Sequence, residues 1–133
     1  MALSITAAEV APVEVFEQWT GPAAEVITAG QMVRLETTTG KATLSNGTTA
    51  AEARCRGIAI NGASAAGITI TAVKAGVVDL GDALGDLAFD QAVYLDNTDG
   101  AMGTAAGTVS LVVGRVVPSW GYTTADKLLH VDL

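Results

Sequence analysis

Few residues in this chain could do chemistry. Cys55 is the only thiol and His130 the only imidazole. Paired, they would form an activated nucleophile, but nothing in the local sequence brings them together. A buried, structural Cys55 is the plainer reading. One cysteine and one histidine do not complete a zinc site at any recognisable spacing. Asp79, Asp82, Asp86 and Asp90 form an acidic run, followed by Asp96 and Asp99. Clustered carboxylates suit a hard cation such as calcium. The stretch Asp96-Asn97-Thr98-Asp99-Gly100 nevertheless lacks the alternate-position ligands and the distal glutamate of an EF-hand loop. Aspartates placed this way stop strands and solvate turns. Paired carboxylates for glycoside hydrolysis would need a cleft with aromatic platforms. The chain has six aromatics, two of them near its start. Phosphate-binding, nucleophile-elbow and zincin motifs are absent from the sequence. The expectation is a protein that is not an enzyme and has no catalytic residue, metal or cofactor.

The large side chains instead suggest contact surfaces. Residues Met1 to Thr20 alternate apolar and acidic types around Pro12, and Thr20-Gly21-Pro22 then punctuates the chain. This segment reads as an extended arm or edge strand carrying Val13, Val15, Phe16 and Trp19. It could fold back on its own domain or reach a neighbouring subunit. Trp120 and Tyr122 sit in a loop from Pro118 to Thr124. Aromatics in such loops anchor interfaces or cap the open end of a β core. These six residues are the candidate interface.

The elements that must position them are strands. Gly30-Gln31-Met32-Val33-Arg34-Leu35 is echoed by Asp90-Gln91-Ala92-Val93-Tyr94-Leu95. Each is followed by turn-rich sequence and a glycine-opened strand, Gly57-Ile58-Ala59-Ile60 and Gly114-Arg115-Val116-Val117. In the first copy the strands are expected over Gln31 to Thr37 and Arg56 to Ile60, with a short return strand over Ala42 to Leu44 between them. Ile68 to Leu80 reads as a hairpin turning at Lys74-Ala75-Gly76, Val109 to Val117 as a strand pair or one bent strand, and Leu128 to Leu133 as a terminal strand. Thr48 to Glu52 could be one helical turn. Short strands separated by frequent turn signals predict an all-β sandwich or small barrel-like domain over residues 21–133, with residues 1–20 as the arm.

Composition narrows the partners. The 133 residues suit one domain with a small core. Half are hydrophobic but only 5% aromatic, so the core is built of small side chains and gains from contacts with other subunits. The net charge of −7, with seven scattered basic residues, argues against a nucleic-acid partner. The longest uncharged stretch, Gly57 to Val73, is broken by glycines and polar residues, which predicts no membrane span. The absence of Lys or Arg before Arg34 argues against a secretory leader, and a lone cysteine does not call for an oxidising compartment.

The order of these segments resembles the small phage capsid decoration, or cement, proteins. The matching positions are Gly57-Ile58-Ala59, Asp90-Gln91-Ala92-Val93-Tyr94 and Gly114-Arg115-Val116, set among "GQMVRLE", "GITITAVKAGVVDLG", "VVGRVVPS" and the final "LLHVDL". The resemblance covers about Val26 to Leu133. It implies a β-rich module on the outer face of an icosahedral head, made in the host cytoplasm. Its partners would be the major capsid protein and two further copies of itself in a homotrimer. An alternative expectation is a tail or fibre accessory module binding a host-surface glycan.

Overall fold

The computed structural model describes residues 2–120 and 127–133. Its strands are β1 (Val10–Pro22), β2 (Met32–Leu35), β3 (Ala42–Leu44), β4 (Gly57–Ala59), β5 (Thr69–Leu80), β6 (Ala92–Leu95), β7 (Met102–Gly103), β8 (Val112–Pro118) and β9 (Lys127–Asp132). They form one antiparallel sheet in the order β3-β2-β4-β5-β9-β8-β6-β7, with β1 laid along β5. The sheet curls into a half-barrel. The expected all-β class is therefore observed. Among the described residues the only helical piece is a 3-10 turn at Ala7–Glu9.

The echoed sequences are a structural repeat. Gln31 Oε1 accepts from the Thr28 N–H, and Gln91 Oε1 accepts from the Ala88 N–H, each at 2.9 Å. The two glutamines thus brace equivalent turns into β2 and β6. The residue before each glutamine, Gly30 and Asp90, has positive φ. Its N–H donates to the third residue of the glycine-opened segment, to Ala59 O at 2.8 Å and to Val116 O at 2.7 Å. The ladders repeat in the same register. Val33 faces Gly57 as Val93 faces Gly114, Leu35 faces Ala42 as Leu95 faces Met102, and Ile58 faces Val73 as Arg115 faces His130. The unit β2-β3-β4-β5 therefore recurs as β6-β7-β8-β9.

The glycines that open β4 and β8 have a steric cause. A Cβ on Gly57 would lie 2.8 Å from Val73 O, and one on Gly114 would run into His130 O. In both copies the next strand passes too close for a side chain.

The two copies bury different faces. The first is covered on both sides. Met32, Ile58 and Val73 point into the main core, while Val33, Ala59 and Ala72 enter a second cluster roofed by Trp19, Ala23, Ile27 and Ala63. The second copy buries one side. Val93, Val116 and Leu129 enter the main core, and Ala92, Tyr94, Arg115 and His130 on the other side stay partly or fully exposed.

The N-terminal segment packs on its own chain. Ala2 bridges Gly103, the Leu3 N–H donates to Met102 O at 2.8 Å, and β1 then follows β5 for its full length. Residues after β1 cover the other end of the sheet. The Ala24 N–H donates to Ala42 O at 2.7 Å, and Glu25 Oε2 accepts from the Leu44 N–H at 3.1 Å and from Thr43 Oγ1. Both end strands, β3 and β7, are thus shielded from edge-to-edge pairing.

One expectation is overturned. Ile68 to Leu80 is not a hairpin, because Thr69–Leu80 is a single strand. Lys74-Ala75-Gly76 has turn-like composition, but β1 pairs with the strand on both sides of it. Gly76 is there for another reason. It sits at φ +150°, and a Cβ would meet the Glu14 carbonyl of the neighbouring strand β1. The register of β1 shifts three times between Pro12 and Gln18, around this close approach.

Candidate functional site

The surface with most character is the uncovered face of the second repeat. Alternation places Ala92 and Tyr94 of β6, Arg115 of β8 and His130 of β9 on it, because directly paired residues share a face. Exposed Val112 faces Tyr94 across the β6–β8 pair. Phe16 of β1 closes one side. Its ring meets the His130 ring edge-on, with centroids 6.5 Å apart and planes at 89°, yet Phe16 remains 62% exposed. Arg115 Nη1 donates to Asp90 O at 2.8 Å and lies 3.9 Å from Asp90 Oδ1. Phe89, next in sequence, is also exposed, and Lys127 Nζ stands 5.3 Å from its ring centroid. The result is a sheet surface with aromatic edges around the Arg115–Asp90 pair.

The sequence-predicted interface residues take different roles. Trp19 belongs to the fold. Its Nε1–H donates to Arg56 O at 3.0 Å and its ring packs on the second core cluster. Val13 is half-buried along β1, while Val15 and Phe16 are exposed. Trp120 is 68% exposed at φ +44°. Tyr122 lies outside the described residues. Thus β1 brings Phe16 to the open face, whereas its Trp19 anchors the strand.

The reactive residue types do not converge. The Cys55 thiol donates to Gly57 O at 3.7 Å, and burial pushes its pKa up to about 11 against hydrogen bonds that pull it down. At neutral pH it is a thiol and hence a poor nucleophile. His130 meets Phe16 instead. The aspartates act in turns. Asp79 Oδ1 accepts from the Gly81 N–H at 2.8 Å and Asp96 Oδ2 from the Thr98 N–H at 3.0 Å. Asp99 Oδ1 accepts from Asn46 Nδ2 at 2.5 Å. Among the described residues, no group of three His, Cys, Asp or Glu side chains is placed to hold a metal ion.

Sequence reasoning missed Tyr94, Val112 and Arg115 as surface residues and weighed His130 only for catalysis or zinc binding. The signal was present in the alternation of Ala92-Val93-Tyr94-Leu95, which marks a strand buried on one side. No protein-family model and no curated protein sequence matches the chain.

Proposed function

We propose that this chain is a structural virion protein that decorates a phage head. It binds the outer capsid surface as a homotrimer and clamps adjacent major capsid subunits. The observation that carries the reading is the uncovered sheet face bounded by Phe16, with Tyr94, Val112, Arg115 and His130 across it. Partly exposed aromatics beside an arginine are what interface anchors are made of. Reactive groups that stay apart suit a protein whose work is binding, and the ordered motif series gives the phage context. The net charge of −7 suits a location outside the shell, away from packaged DNA. Repetition of one modest contact around a symmetric shell adds avidity without a large single interface.

Co-sedimentation with expanded and unexpanded heads tests this. Saturable binding to expanded heads, with a raised temperature of head disruption, is the expected result. Absence of binding to every head form at micromolar protein overturns it. The exposure of Trp120 favours a second reading, a glycan-binding accessory module of a tail or fibre. Glycan-array binding that is lost in Trp120→Ala, with heads left unbound, would select that reading.

A further inference from the structure

The two repeats differ at one backbone edge. In the second copy, the Leu95 N–H donates to Leu111 O at 2.9 Å, and Leu95 is fully buried. The equivalent residue of the first copy, Leu35, is 39% exposed. There the β2–β4 ladder ends early. The Arg56 N–H still donates to Val33 O at 2.7 Å, but no described residue accepts from the Leu35 N–H. In an antiparallel ladder alternate residues turn their N–H and C=O to the same edge, so Leu35 presents its own where Val33 does. Beyond that point Arg54-Cys55-Arg56 diverges from β2. It leaves a groove of about 430 Å³ lined by Leu35, Thr37, Arg54, Cys55 and Arg56.

The groove is basic in an acidic protein. Arg34, Lys41, Arg54 and Arg56, four of the seven basic residues, fall between the start of β2 and the start of β4. Arg54 and Arg56 are exposed. The ion pairs among the described residues use Lys74 and Arg115 instead, and neither the Arg54 nor the Arg56 guanidinium has a hydrogen-bond partner there.

We infer that this groove binds an extended acidic peptide segment, which supplies to Leu35 the edge pairing that Leu111 supplies to Leu95. A backbone carbonyl of the segment accepts from the Leu35 N–H. Its carboxylates meet Arg54 and Arg56 through charge-assisted hydrogen bonds. An alternate apolar side chain rests on Leu35. This is strand addition, with backbone bonds giving affinity and flanking side chains giving selectivity. It holds for any protein carrying such a segment and does not depend on the capsid reading.

The test is an NMR titration of ¹⁵N-labelled protein with two capped peptides, one alternating Asp and Val, the other Lys and Val. The Asp–Val peptide should shift the Leu35 and Thr37 amides saturably, and the Lys–Val peptide should not. Substitution R54E/R56E should weaken binding by at least about tenfold, and R54Q/R56Q should weaken it less. Both variants change exposed side chains, and an unchanged amide spectrum elsewhere verifies their fold. Any of four results overturns the inference. One is a Leu35 amide unmoved at millimolar peptide. Another is R54E/R56E binding as wild type. A third is heparin producing the same shifts as the Asp–Val peptide, which assigns the groove to polyanions generally. The last is altered sedimentation of peptide-free R54E/R56E, which assigns it to a second copy of the chain.

Discussion

A methyl group at Gly57 or Gly114 would enter the space of the neighbouring strand's carbonyl oxygen. Gly57→Ala and Gly114→Ala should each lower stability by about 1–3 kcal/mol, as overpacking against backbone does. Urea denaturation measures it. Gly40 has open space around its Cβ position but φ of +71°. Gly40→Ala should therefore cost only the conformational term, about 1 kcal/mol. Cys55 gives a pH signature. Its ordinary pKa of 9.0 is raised to about 11 by burial in the folded protein. Between these values the unfolded chain binds fewer protons than the folded one, so stability falls as pH rises. The contribution is fully present below pH 9 and is lost as pH climbs through about 11. Wild type should lose more stability than Cys55→Ala across that window, and parallel pH profiles would contradict the assignment.

At the scale of elements, β1 and β5 hold the molecule together. β5 carries β1, β4 and β9 as partners, so its amides between Ala72 and Val78 should exchange most slowly with deuterium. Within β1, two aromatics three residues apart have opposite roles. Trp19 roofs the second core cluster and is hydrogen-bonded to Arg56 O. Trp19→Ala should cost about 2–4 kcal/mol, somewhat below the full cost of truncating a buried aromatic. Phe16 lies mostly in solvent, so Phe16→Ala should stay within about 1 kcal/mol of wild type. Thermal unfolding of the two variants separates anchor from contact residue. The sequence put both in one arm. Their difference comes from what lies beside each along β1, the second core cluster at Trp19 and the His130 ring at Phe16, which no local pattern reveals.

At the scale of the whole molecule, one repeat is a core element and the other is a platform. The first copy is sealed on one face by the main core and on the other by the segment around Trp19 and Ile27, while the second leaves Tyr94, Arg115 and His130 open. If the open face grips capsid subunits, Phe16→Ala and Arg115→Glu should each weaken head binding by about tenfold or more. Their melting temperatures should stay close to wild type. Head binding that survives both changes would move the contact elsewhere, with the loop carrying Trp120 as the next surface to alter.

The sequence by itself determined the all-β class, most strand positions and the repeat. Those follow from local causes: β-branched alternation, turn residues between short runs, and glycines at fixed places in two similar segments. It also identified Gln31 and Gln91 as equivalent, though their work as turn braces needed the bonds to Thr28 and Ala88. Lys74-Ala75-Gly76 misled because glycine serves a close strand approach as well as it serves a turn. The candidate surface was legible only in part. Phe16 stood out by type, but Tyr94, Arg115 and His130 look like any other residues of alternating strands until the sheet brings them together. Which face of each repeat is covered depends on segments distant in sequence, Trp19 and Ile27 over one copy and, among the described residues, no such roof over the other. Local propensity carries no information about such long-range contacts, and only the tertiary structure decides them.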